Sequence, residues 1–247
     1  MGKIIVVGIG PGSVDEMTAK ARRAIETAEV IVGYNTYLKL VADLIAGKRV
    51  IGTGMMHEIE RCRLAVEEAA AGRSVAVISS GDAGVYGMAG LVIELILDSS
   101  AEIEFEVVAG VSAVNAAAAI LGAPLMHDFA VISLSDLLTP WETITKRVRC
   151  AAEGDFVVAL YNPKSHRRVE NIVEVQKILL EYRAKDTPVG IVTNAGRLNE
   201  QKVISTLEKF TGEEIGMFSL VIIGNSQTYV KAGFMLTPRG YERKVQA

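Results

Sequence analysis

The chain has 247 residues, half of them hydrophobic, a formal net charge of −3 and only two cysteines. That length and apolar content describe a globular protein of one large or two medium α/β domains and exclude a disordered chain. The acidic balance offers no basic footprint for nucleic acid, and the isolated Cys62 and Cys150 are too few for a thiolate cluster or a structural zinc, so no metal site is expected.

Both cysteines read as reduced thiols of a cytoplasmic protein. Lys3 is followed at once by a short strand-like run and then by glycines, which is not the pattern of a secretory leader. Apolar runs at 3–7, 30–32, 49–51, 74–79 and 104–108 alternate with helical spacing at 18–28, 37–45, 57–71, 86–97 and 112–121. Such alternation with short connections predicts a mainly parallel sheet covered on both faces. Gly122, Ala123 and Pro124 interrupt it, and we place a boundary there, with an N-terminal α/β domain over 1–123 and a C-terminal α/β domain over 124–247.

The second series predicts strands at 129–134, 156–161 and 189–193 and helices at 141–152 and 169–183. Hairpin-like segments at 202–206, 220–224, 228–230 and 233–236 then make this sheet mixed. The uncharged stretch 107–126 is Ala-rich and contains Gly110, Asn115, Gly122 and Pro124, so it fits a strand, a loop and a buried helix better than a membrane span. Two α/β domains imply a cleft between them as the place for a small-molecule site.

The segment VISSGDAGVYG at 77–87 places Gly81, Asp82 and Gly84 where a strand feeds a helix. There, main-chain N–H groups and one carboxylate can meet a small polar ligand. GIGPGS at 8–13 invites a dinucleotide reading, but Pro11 removes an N–H and Ser13 stands where the third glycine belongs. Gly33 and Tyr34 replace the acidic residue expected after the second strand, and no GxxxxGK[ST] is present, so neither a Rossmann fingerprint nor a P-loop survives.

The set GIGPGS, AEVIVGYNTYL, SSGDAGVYGMAG, VVAGVSAVNAAAA, LMHDFAVISLSDLLTPW, YNPKS and VTNAGR resembles the tetrapyrrole methylases over nearly the whole chain. HDFAVISLSDLLTPW with YNPKS resembles the branch that methylates C17 of precorrin-3B or cobalt-factor III in cobalamin synthesis; the C11, C20 and diphthamide branches are the alternatives. Ala83 and Ala109 stand where the superfamily often carries proline, which costs loop rigidity but no polar contact. The resemblance implies two α/β domains, a homodimer, S-adenosylmethionine as methyl donor in the interdomain cleft and S-adenosylhomocysteine as product. It implies donor contacts from Gly10, Pro11, Ser80, Gly81, Asp82, Val85, Tyr86, Ser112 and Ala113, and, for the adenosine part, from Tyr161, Asn162 and Ala195. Ser112 reads equally as a helix N-cap.

The implied reaction joins C17 to the donor methyl and contracts the macrocycle, so a proton acceptor is needed for a hydroxyl. Tyr34, His127, Ser135 and Asp136 are the candidates, each at a strand end or loop; Tyr34 reads equally as a packing tyrosine and His127 as a hinge histidine. Ser135 also stands as a substrate contact. The substrate is rich in carboxylates, which Lys164, His166, Arg167, Arg168 and Arg197 could clamp, although a solvated helix start explains Arg167 and Arg168 equally well.

Overall fold

The computed structural model describes residues 1–165 and 168–241. His166 and Arg167 of the expected basic cluster lie outside the described residues. The chain divides into two compact units, Met1–Ala113 and Val114–Ala247.

The first unit holds strands β1 (Gly2–Gly8), β2 (Val30–Tyr34), β3 (Arg49–Thr53), β4 (Ser74–Ser79) and β5 (Ile103–Val108). They pair in parallel in the order β3-β2-β4-β1-β5, with Ile4 opposite Val75 and Phe105. Helices α1 (Ala19–Thr27), α2 (Asn35–Leu38), α3 (Glu58–Ala70) and α4 (Ala89–Leu97) make the crossovers. Successive strand residues face opposite ways, which explains why the strands read as unbroken apolar runs. Ile5, Val7, Ile31 and Ile78 meet Ala21, Ala24 and Ile25 of α1 on one face, while Ile4, Val6, Val32 and Val77 meet Cys62 and Ala65 of α3 and Val92 of α4 on the other. Each fully buried valine or isoleucine contributes about 1.5–3 kcal/mol.

The chain leaves β1 over one face through α1 and leaves β4 over the other through α4. Because β1 and β4 are neighbours, the chain leaves two adjacent carboxyl ends over opposite faces of the sheet, and Gly10 and Gly81 bridge the two loops there.

The second unit contains β7 (Phe129–Ser133), β8 (Val157–Tyr161), β9 (Pro188–Thr193), β10 (Gln201–Thr206) and β11 (Ser219–Ile223) in the order β10-β9-β11-β8-β7. Only β7 and β8 pair in parallel, so the sheet is mixed, as expected. Helices α6 (Trp141–Glu153) and α7 (Asn171–Leu180) bury Ile144, Val148, Ile172, Val175 and Leu179 against it.

Four expectations differ in detail. Helix α5 (Ala113–Leu121) lies almost wholly in the second unit, so the units divide at its start and not at the 123/124 turn. The reason is packing: Leu121 is fully buried and lies so close over β9 that a Cβ on Gly190 would sit 2.6 Å from its Cδ2. The last hairpin, β12 (Tyr229–Lys231) and β13 (Phe234–Leu236), forms a separate small sheet with β6 (Gly122–Ala123), a strand too short to show in the sequence pattern. The helix expected over 37–45 is α2 followed by a 3₁₀ turn over Lys39–Leu44, broken at Val41, and the one expected from Tyr86 begins at Ala89 because Tyr86 turns with φ +51°.

Candidate functional site

In the first unit the expected donor residues fall on the carboxyl edge of the parallel sheet. Gly10 and Gly81 exchange hydrogen bonds, N–H to O at 3.1 Å and 2.7 Å, and both hold φ near +70 to +80° or below, at 79° and 66°, where glycine alone is unstrained. Behind them Gly110 is wedged against the same strands: a Cβ there would strike Gly81 O and lie 2.6 Å from Gly8 C. The loops after β1, β4 and β5 therefore meet through main chain at these glycines.

Asp82 serves this contact. Its Oδ1 accepts from Gly84 N–H at 2.8 Å and its Oδ2 from Gly110 N–H at 3.0 Å, so the carboxylate ties two loops before it offers anything to a ligand. Pro11 and Ser112 are buried, Ser80 and Ala113 half-buried, and Val85 and Tyr86 exposed at the loop crest.

The loops 9–13, 80–88 and 109–113 contain one charged residue, Asp82, and no lysine or arginine. A phosphate-bearing nucleotide would find no cation in them, whereas a cationic adenosyl sulfonium meets a small-residue lining with one carboxylate nearby. The residues present fit S-adenosylmethionine.

Tyr34 ends β2, with its ring edge-on to Tyr37 at 5.1 Å. The Arg61 guanidinium lies 5.7 Å from the same ring, within cation–π range. Arg61 is only 3% exposed and donates from Nε to Thr53 Oγ1 (2.8 Å) and from Nη2 to Gly54 O (2.9 Å). The sequence reading missed this residue. Its signal was a charge in the buried stripe of α3, beside Cys62 and one turn before Ala65. Burial pushes the Cys62 thiol up to about 11, so it is an inert thiol of the core.

In the second unit β7, β8 and β9 run the same way, since β11 is antiparallel to both β8 and β9. Their carboxyl ends, Ser133, Tyr161 and Thr193, thus share one edge. Ser133 Oγ accepts from Asn162 Nδ2 (2.9 Å) and from Ser135 N–H (3.2 Å). Asn162 adopts φ +49°, a left-handed conformation that asparagine tolerates better than most residues. The Tyr161 phenol oxygen accepts from Val114 N–H at 3.0 Å, so Tyr161 caps the first turn of α5 through its side chain.

Ala195 sits between Asn194 and Gly196, which have φ values of +56° and +67°, in a turn closed by Arg197 N–H to Asn194 O at 2.9 Å. The Arg197 guanidinium lies 5.5 Å from the Phe218 ring, and Lys164 is half-buried.

Arg168 corrects the expected clamp. Its side chain is 12% exposed and turned inward, with Nη2 donating to Asn162 O (3.0 Å) and Nη1 lying 3.4 Å from Ser135 Oγ and 3.6 Å from Asp136 Oδ1. It is neither a solvated helix start nor a free clamp. Asp136, expected as a proton acceptor, is the ion-pair partner of this arginine.

His127 stands apart. It precedes β7 and so lies at the amino edge of the sheet, opposite Ser135, Asp136 and Asn162, with an exposed ring whose Nδ1 accepts from Asp128 N–H at 2.9 Å. The structure does not bring it to the other candidates of the second unit. No group of histidine, cysteine and acidic residues able to hold a metal occurs among the described residues, and no helix among them is long and apolar enough to cross a membrane.

A cobalt-factor III methyltransferase of Priestia megaterium is 52% identical over 98% of the chain, which spans about half that protein's length, 46%. A probable cobalt-factor III C(17)-methyltransferase of Salmonella typhimurium is also 52% identical, over 96% of the chain and 98% of its own length. The crystal structure of the methyltransferase CobJ superposes with a TM-score of 0.89 at 36% identity, covering 96% of this chain and all of that one. The model of the tetrapyrrole (corrin/porphyrin) methylases matches residues 3–211, and the chain belongs to that family.

Proposed function

We propose that this protein transfers a methyl group from S-adenosylmethionine to C17 of cobalt-factor III or precorrin-3B, with contraction of the macrocycle, in cobalamin synthesis. The observation that carries the reading is the end-to-end match at 52% identity to the Salmonella relative. The absence of lysine and arginine from the loops that carry Gly10, Gly81 and Asp82 supports it from the side of the chemistry.

When bound, S-adenosylmethionine supplies an electrophilic methyl group, so no protein nucleophile is required. The chain must instead hold and orient its two small molecules and exclude water. On the first unit that work falls to Gly10, Pro11, Ser80, Gly81, Asp82, Val85, Tyr86, Ser112 and Ala113; on the second, Tyr161, Asn162 and Ala195 serve the donor. Ser135, Lys164 and Arg197 serve the carboxylate-rich acceptor. Proton removal is assigned to Tyr34 or Asp136, because each lies at the carboxyl edge of its own sheet. A homodimer in the cytoplasm is part of the same proposal, and sedimentation would read its mass.

The test is an anaerobic incubation with S-adenosylmethionine and each tetrapyrrole in parallel, following mass and absorbance. A gain of one methyl group on cobalt-factor III is expected, in keeping with the names of the two relatives. Gain on precorrin-3B alone would move the enzyme to the metal-free route, and gain on neither would overturn the C17 reading.

A further inference from the structure

Four residues of the second unit close into a ring. Asn162 Nδ2 and Ser135 N–H both donate to Ser133 Oγ, Arg168 Nη1 lies 3.4 Å from Ser135 Oγ, and Arg168 Nη2 donates to Asn162 O at 3.0 Å. The ring joins the residues at the ends of β7 and β8 to the loop that follows β8. Its two sides carry different assignments: Asn162 serves the donor, and Ser135 with Asp136 serves the acceptor.

We propose that Arg168 is a positioning residue that couples these two sides, so that a donor seated at Asn162 sets the Ser135–Asp136 stretch for the tetrapyrrole. The inference rests on the methyl-transfer reading above.

Arg168 holds its two sides unequally. Its bond to Asn162 O has ordinary length, whereas its reach to Ser135 and to Asp136, at 3.4 and 3.6 Å, is long, and the Asp136 side chain is 43% exposed. The firm side anchors a residue in a sparsely populated backbone conformation, which persists only where its surroundings hold it. The loose side is free to tighten.

The Arg168 Nε–H is buried without a partner among the described residues, as is that of Arg183, so the bridging role rests on what the two Nη groups reach. A planar guanidinium reaches two loops at once through separate nitrogens. A lysine ammonium is a single point and cannot.

The test reads backbone hydrogen exchange in the full chain with and without S-adenosylhomocysteine. In the unaltered protein the ligand is expected to slow exchange around Asn162 and also around Ser135. In Arg168→Met the slowing should remain at Asn162 alone. The KM for the tetrapyrrole should rise about tenfold or more, the size of one charge-assisted hydrogen bond, while the Kd for S-adenosylhomocysteine moves by less than about threefold.

Arg168→Lys should behave as Arg168→Met; full recovery by lysine would assign the effect to charge and overturn the bridging role. If Arg168→Met does not fold, Ser135→Ala cuts the ring while leaving the Arg168–Asn162 bond, and the same split is required of it. Slowing at Ser135 that survives these variants, or equal losses of donor and tetrapyrrole affinity, would also overturn the coupling. Slowing around Asn162 alone in the unaltered protein removes the coupling and leaves the methyl-transfer reading standing. Slowing at neither place removes both the coupling and the donor assignment.

Discussion

The carboxyl edges of the two sheets are built by different means. In the first unit Gly10, Gly81 and Gly110 bring three loops into main-chain contact, to which the Asp82 carboxylate adds a side-chain tie. In the second, side chains do the joining: Ser133, Ser135, Asn162 and Arg168 hold two loops apart at hydrogen-bond length. An edge of touching backbones has one arrangement and cannot accept an added atom. An edge of linked side chains can lengthen or shorten a bond, so it suits a larger and more variable partner.

The largest expected effect comes from adding one carbon to the first edge. Gly110→Ala drives a Cβ into Gly81 O and to 2.6 Å from Gly8 C, and backbone cannot swing aside as a side-chain end can. We expect about 3 kcal/mol of lost stability and loss of measurable S-adenosylhomocysteine binding, read by thermal unfolding and calorimetry. A normal melting temperature with normal binding would show that the three loops have room to part.

A smaller effect is expected at the second edge. Ser133→Ala removes the acceptor shared by Asn162 and Ser135, which should cost about 1 kcal/mol because half-buried donors regain water in part. The variant should stay folded and bind S-adenosylhomocysteine, with turnover of the tetrapyrrole reduced. If it unfolds as Gly110→Ala does, the contrast between the edges fails.

The smallest effect lies on the outer strand of the first sheet. Lys20 and Lys3, at 2.8 and 3.1 Å, hold the Glu106 carboxyl below its ordinary range. A depressed carboxylate adds stability above its unfolded value, near 4.5, and that stability is lost as pH falls through the lower folded value. Glu106→Gln should therefore flatten the acid limb of a melting-temperature profile below about pH 5 while leaving pH 7 nearly unchanged, since the group is partly solvated. An unchanged acid limb would show that the pair contributes nothing.

Much of this architecture is legible in the residues themselves. β4 was expected at 74–79 and is found there, because SVAVIS is a run that both faces of a covered parallel sheet require. The glycines at 10 and 81 announce loops, and their strand-to-helix setting marks the edge they occupy. What stayed hidden depends on contacts distant in sequence. The charge on Arg168 says nothing of the direction its side chain takes, and only the bonds to Asn162 and Ser135 turn it inward. Arg61 was passed over because a charge beside a cysteine on a helix gives no hint of Tyr34 lying above it. The division of the chain at Ala113 is hidden for a similar reason: Leu121 against Gly190 is a contact across the whole of β7, α6, β8 and α7.

The short strand β6 has a consequence in time. Gly122 and Ala123 find their partners at Met235 and Leu236, so the opening residues of the second unit wait for nearly its last ones. The first unit has all five of its strands by Val108 and can condense while the ribosome is still at work, at about 10 residues per second. The second must hold an Ala-rich helix and an unpaired strand end in readiness until β13 emerges, which makes β13 the clasp that closes the small sheet.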